Sequence, residues 1–305
     1  MTRQDAPPAA EAVSQGRPLM AFAWMLGAIA SFTLMAVAGR AVQVEMSSVE
    51  LMAWRSVIGI VIVCAVLAMT RQGFGQIRTA HPGLHLQRNV IHFIAQNAWF
   101  MALMLIPLAQ LVAIEFTSPI WVALLAPLIL GERMTVRKAV AVALGFTGVL
   151  IVARPGVEPL QLGHLLGLVS AVGFALNAIW TRRIMAHDTV LCVLFWMTVS
   201  QAIMGFLFSL PGGVTVPSAG AWPWMVLLGV VGLTAHYSLT SALTYAPVSL
   251  VAPMEFLRLP VITLVGAMVY GEAVALAVFL GGGLILLANL INLGVRLPRN
   301  LRLQR

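Results

Sequence analysis

The sequence predicts an all-α polytopic membrane protein, with ten transmembrane helices arranged as two five-helix repeats of inverted topology. Three observations carry this expectation. Of 305 residues, 60% are hydrophobic and 9% are charged, against roughly 25% charged in soluble domains, and mean hydropathy is +0.96. The apolar residues fall in runs long enough to cross a bilayer, which takes about 20 residues. Finally, the run 108–134 returns near the C-terminus as 248–273. At a constant offset of 140 positions, Pro107, Glu115, Phe116, Gly131 and Glu132 fall on Pro247, Glu255, Phe256, Gly271 and Glu272.

The elements follow in order. Residues 1–18 are rich in Ala and Pro and predict a disordered cytoplasmic tail. The first repeat, 19–153, contains apolar spans at 19–39, 48–69, 84–105, 107–130 and 136–153. Ala36-Val37-Ala38 resembles a signal-peptide cleavage site. The run before it is longer than a signal-peptide core of about 7–15 residues, so it reads as a retained helix. The second repeat, 162–293, contains spans at 162–181, 189–210, 222–243, 247–270 and 274–293. Residues 294–305 form a basic cytoplasmic tail. Links such as Ile106-Pro107 and Gly271-Glu272 are short and force neighbouring helices to run antiparallel. Because each repeat has an odd number of spans, the second enters the membrane upside down, and such repeats share a substrate site near mid-bilayer.

With the N-terminus in the cytoplasm, fourteen Arg and Lys residues fall on the inner side and two, Arg40 and Arg154, on the outer side. Positive charge on the inner loops sets orientation, so both termini are expected in the cytoplasm, in an inner or plasma membrane. The same distribution accounts for the net charge of +8 without nucleic acid as a partner. Cys64 and Cys192 each lie inside an apolar run and suggest neither a disulfide framework nor a metal site. No GxxxxGK[ST], HExxH or GxSxG sequence is present, which removes the recognisable ATP motor and the common hydrolase chemistries. A cofactor is not expected.

The intramembrane polar residues are the functional candidates. A charge at a helix centre costs about 2.5–3.5 kcal/mol on insertion scales and so faces protein or water. Glu115 and Glu255 are therefore candidates for binding a substrate ammonium or a proton. Arg258, three residues beyond Glu255, shares its helix face and is expected to neutralise it, whereas Glu115 has no basic residue within a turn. Arg55 suggests pairing with Glu50, snorkelling or contact with a substrate carboxylate. Glu132 and Glu272 read as interfacial or capping residues. On the third span, His92, Gln96 and Trp99 share one face; His92 is nearer the inner end and reads as interfacial. His236 and Thr240, with Tyr237 and Ser241 beside them, make the corresponding stripe on the eighth. Ser170, Asn177 and Thr181 make a weaker face on the sixth, Asn177 the best of them. Trp99, Trp121, Trp180 and Trp196 are either interface anchors or walls of an aromatic cavity suited to an aromatic or cationic substrate. Pro119, Pro127, Pro253 and Pro260 remove backbone donors inside helices and suggest hinges.

The stretch SPIWVALLAPLILGERMTVRKAVAVALGFTGVLIVARPG resembles the EamA module of the drug/metabolite transporter superfamily. The shared marks are a proline in a hydrophobic helix, a Gly-Glu ending, a basic loop, a glycine-rich helix and a closing Pro-Gly. APMEFLRLPVITLVGAMVYGEAVALAVFLGGGLILL repeats it without the basic loop. The resemblance implies a central cavity lined mainly by helices 1, 3, 4, 6, 8 and 9, with 5 and 10 peripheral, and alternating access. It implies a secondary transporter moving small metabolites, foremost aromatic or neutral amino acids, out of the cytoplasm. The alternative is uptake of S-adenosylmethionine or another metabolite; an intramembrane enzyme ranks behind both. The expected partners are the small-molecule substrate, the lipid bilayer and protons as a candidate coupling ion. A duplicated chain holds both halves of its site, which suits a monomer or weak dimer.

Overall fold

The computed structural model describes residues 17–130, 134–154, 159–246 and 248–293. Gly131, Glu132, Arg133 and Pro247 lie outside the described residues, as do the tails 1–16 and 294–305. Twelve α-helices make up the described fold: α1 (Pro18–Val42), α2 (Ser48–Met69), α3 (Pro82–Leu105), α4 (Leu108–Glu115), α5 (Ser118–Leu130), α6 (Val136–Ala153), α7 (Leu162–Ile184), α8 (Val190–Ser209), α9 (Trp222–Tyr245), α10 (Val248–Glu255), α11 (Arg258–Tyr270) and α12 (Leu276–Leu293).

Local chemistry sets several of the helix starts. Ser47 and Glu50 form a reciprocal capping box at α2, and the Thr135 and Thr189 side chains cap α6 and α8. These contacts satisfy backbone donors that the first helical turn leaves free. At the end of α11, Gly271 adopts φ +65, a left-handed C-cap that glycine reaches without a side-chain clash.

Among the described residues, nine helical stretches are long and apolar enough to cross a membrane. The third span, α3, is not among these nine: it has the length at 24 residues but carries His85, Arg88, Asn89, His92 and Gln96, all buried. Its polar face turns inward, which is what makes such a sequence tolerable in a membrane. The protein is a multi-span, all-helical membrane protein.

The helix packing obeys an approximate two-fold exchange of the two repeats. α1 packs along α9, and its repeat-equivalent α7 packs along α3, the equivalent of α9. Two further pairs map onto themselves, α2 with α8 and α6 with α12, and α4 also packs on α11. At the α6–α12 crossing a Cβ on Gly148 would stand 2.7 Å from the Gly281 carbonyl oxygen, and one on Gly281 would stand 2.5 Å from the Gly148 oxygen. Only glycine lets these two backbones approach so closely.

The fourth and ninth spans, expected as single helices, are each broken in two. The breaks fall at Phe116-Thr117 and Phe256-Leu257, equivalent positions in the repeats. Pro119 has no N–H to offer the Glu115 carbonyl, and Pro260 none for Phe256, so the backbone ladder is interrupted there. The freed Phe116 carbonyl accepts a hydrogen bond from Asn289 Nδ2 on α12 at 3.0 Å.

Candidate functional site

The breaks place Glu115 and Glu255 at the ends of the two short helices α4 and α10. Between them lies a cavity of about 340 Å³. Aromatic rings wall it: Phe32 from α1, Trp99 from α3, Phe174 from α7, and Phe116 and Phe256 from the two breaks. Phe116 and Phe256 lean on each other with ring centroids 4.3 Å apart. Gln96, Asn177, His236, Glu115 and Glu255 line the same space. Six of the eight candidates read from the sequence therefore meet in one cavity.

The other two do not line it. Tyr237 is 66% exposed and packs edge-on against Trp24 on the outer face. Arg258 sits behind the cavity wall and is 2% exposed. Its partner is Glu115 rather than Glu255: Nη2 donates to Glu115 Oε1 at 2.7 Å. The same-face argument treats spans 4 and 9 in isolation, but α4 and α11 pack on each other across the repeats. Trp99 Nε1 donates to the other Glu115 oxygen at 2.9 Å. The Arg258 guanidinium also lies 4.8 Å from the ring centroids of Phe32 and Phe116, where the ring faces attract it. Glu255 accepts no hydrogen bond among the described residues.

Several other expectations change. Of the four mid-span tryptophans only Trp99 borders the cavity. Trp121 packs edge-on against Phe146, Trp180 donates to Gln87 Oε1 and Trp196 donates to the Ile77 carbonyl. Ser170 is fully buried and spends its hydroxyl on the Gly167 carbonyl. His92, expected near an interface, is buried and lines the cavity. The tenth span is not peripheral, because Asn289 and Leu293 of α12 contribute to the lining. Asn289 is legible in principle as a polar residue in an otherwise apolar run. His92 Nδ1, Asn177 Oδ1, Asn289 Oδ1 and Arg258 Nε are buried without a hydrogen-bond partner, which is uncommon in a settled protein interior.

At the end of the fold where α1, α3 and α11 finish, a second ion pair ties the repeats together. Arg40 Nη1 donates to Glu272 Oε1 at 2.5 Å. Arg40 also donates to the Leu103 and Ile106 carbonyls at 2.7 and 3.0 Å. Glu272 Oε2 accepts from the Leu108 backbone N–H at 2.9 Å. Glu272 is thus more than a helix cap: it joins the second repeat to the first. At the opposite end, His85 Nε2 lies 2.9 Å from Asp188 Oδ2, which also accepts from Thr79 Oγ1 at 2.7 Å. Burial alone would raise the Asp188 pKa, but these hydrogen bonds and the charges of His85 and His81 hold it below its ordinary value.

Two inverted repeats around a polar, aromatic-walled mid-span cavity, tied together at one end by an ion pair, are the architecture of a membrane transporter. The chain belongs to the EamA-like transporter family, whose pattern matches residues 19–154 and again 161–294. It is 29% identical to a riboflavin transporter of Rhizobium johnstonii over 92% of both chains. It is 26% identical to a riboflavin transporter of Vibrio cholerae over 89% of this chain and 92% of that one. It is 22% identical to an S-adenosylmethionine uptake transporter of Rickettsia prowazekii over 66% of this chain and 68% of that one. A protein of known crystal structure, 18% identical, shares the fold with a TM-score of 0.62, covering 89% of this chain and 95% of that chain.

Proposed function

We propose that the protein carries a planar heteroaromatic metabolite of riboflavin's kind across the cytoplasmic membrane by alternating access. The carrying observation is the cavity itself. Its volume of about 340 Å³ lies in the usual range for small-molecule sites, about 300–1,000 Å³. Rings from both repeats line it, and offset or edge-to-face aromatic contacts suit a flat ring system. The unpartnered polar atoms around it suit a ligand with carbonyl and N–H groups on its rim. The full-length similarity to riboflavin transporters supports the same class, and moves the reading away from the amino-acid export that the family resemblance first suggests.

The lining runs from mid-span toward the ends of α7 and α12, whereas the Arg40–Glu272 pair closes the other end. With both termini in the cytoplasm, as the arginine distribution favours, this is a state facing the cytoplasm. Protons remain the candidate coupling ion, with Glu115 and Glu255 as their acceptors.

Glu255 supports a second reading. A carboxylate on the cavity wall with no hydrogen-bond donor among the described residues suits a cationic ligand such as S-adenosylmethionine. Uptake into proteoliposomes separates the two. Saturable riboflavin flux, competed by other flavins and not by S-adenosylmethionine, supports the first reading. Flux of S-adenosylmethionine alone supports the second. Flux confined to aromatic amino acids overturns both.

A further inference from the structure

We infer that Arg55 holds a small-anion site in a side pocket of the main cavity, where either an inorganic anion or a negatively polarised oxygen of the substrate binds. The pocket opens beside His92, Gln96 and His236, which line both spaces, and its back wall is Arg55, Ser56 and Gln201. Its volume is about 30 Å³. One water needs about 10–15 Å³ by this measure, so the space fits one small anion or the end of a larger molecule.

Among the described residues, the pocket has a charge without a counter-charge. Arg55 is 8% exposed, and burying an ion without a partner is expensive. Its partners are neutral. Nη2 donates to Gln96 Oε1 at 2.6 Å and to Gln201 Oε1 at 3.3 Å, and Nε and Nη1 donate to nothing among the described residues. Every described carboxylate is accounted for elsewhere. Glu50, one of the alternatives the sequence offers for Arg55, is held by Ser47 and by the Thr215 backbone N–H. Glu45 takes Ser218, Asp188 takes Thr79 and His85, Glu272 takes Arg40, and Glu115 takes Arg258. Glu255 lines the main cavity and does not line this pocket.

The hydrogen bonding also fixes what the pocket offers. A guanidinium can only donate, so Gln96 must turn its carbonyl oxygen to Arg55. Gln201 Nε2 approaches the same oxygen at 3.4 Å. The Gln96 amide nitrogen is left to face away from Arg55 as a further donor. A site made of donors around an unpaired cation selects an acceptor bearing negative charge.

The test uses the full chain in detergent with gluconate as the only bulk anion, and reads thermal unfolding. Chloride or nitrate is expected to raise the wild-type Tm by about 3 °C at saturation, because a ligand that binds only the folded state stabilises it. Arg55→Gln is expected to lose this rise. Gln96→Glu supplies a carboxylate beside Arg55, and is expected to raise the salt-free Tm and abolish the anion response. Arg40→Gln, at the other ion pair, should keep the response. No saturable anion response in the wild type, or one that survives both Arg55→Gln and Gln96→Glu, overturns the inference. Riboflavin binding measured with and without chloride then distinguishes the sources. Competition assigns the pocket to a substrate oxygen, and unchanged affinity assigns it to a resident ion. Only this last arm rests on the proposed substrate. Absence of riboflavin binding would defeat that substrate and leave the Tm result to decide the anion site.

Discussion

Phe116 and Phe256 pack on each other at 4.3 Å between centroids, their planes tilted by 32°, although 140 residues separate them and each occupies the same place in its own repeat. Two equivalent residues can touch only where the axis relating the repeats passes between them. The rings therefore mark that axis, and the two helix breaks meet on it. The arrangement around the axis is not symmetric in charge. Arg258 corresponds to Ser118 in the first repeat, so two carboxylates share one guanidinium, and it sits with Glu115.

The Glu115–Arg258 pair predicts strong coupling between the two positions. Removing one partner of a buried ion pair costs about 3–5 kcal/mol, because the other charge is left without compensation. Glu115→Gln should lower both flux and Tm. The double substitution Glu115→Gln with Arg258→Gln should regain Tm over Glu115→Gln alone while flux stays low. A double-mutant cycle in Tm checks this, and strictly additive effects would place the two residues outside a common interaction.

The Arg40–Glu272 pair predicts a gate. It fastens the end of α1 and the loop after α11 to the junction of α3 and α4, so releasing it should favour the state open at that end. Glu272→Gln, in a background with Cys64 and Cys192 replaced by alanine, should speed alkylation of a cysteine at Phe32 by a reagent that does not cross the membrane. The reagent is added from the side where α1 ends. Unchanged labelling kinetics would make the pair a static tie.

Gly148 and Gly281 predict a tight limit on side-chain size. Their close approach leaves no room for a Cβ on either glycine without moving the facing backbone. Overpacking of this kind costs about 1–3 kcal/mol. Gly281→Leu should therefore lower Tm and loosen the α6–α12 crossing, whereas Gly283→Leu, with open space around it, should be tolerated. Thermal unfolding of the two variants in the same detergent decides it.

How much of this is legible in the sequence depends on the distance between the groups involved. The repeat, the spans and the carboxylates at the breaks are readable because each is a local pattern or a fixed offset. Proline positions even mark where the two broken spans part. The Glu115–Arg258 pair is not readable, because its members come from different repeats and only packing brings them together. Tyr237 departs from its expected place for a local reason. It follows His236 directly, and successive residues on a helix point about 100° apart, so both cannot face one cavity. Proximity along the chain suggests Glu50 as the partner of Arg55, yet five residues do not bring two side chains onto one face as three or four do.

Asp188 gives the pH prediction. Its carboxyl titrates below the ordinary carboxylate value when folded, because hydrogen bonds from Thr79 and His85 and the charges of His85 and His81 outweigh its burial. A depressed folded pKa means that the charged carboxylate contributes stability above the unfolded pKa, near 3.8. That contribution falls away as acid protonates the group through its lower folded value. Asp188→Asn should therefore lower Tm relative to wild type at neutral pH, and the gap should close as the pH is taken below about 4. The contact joins the loop before α3 and the start of α3 to the loop between α7 and α8, so its loss should loosen the two repeats at that end. Unfolding curves of the two proteins from pH 7 down to pH 3 read the difference directly. A gap that stays constant over that range would mean that Asp188 acts by shape and hydrogen bonding alone, with its charge contributing nothing.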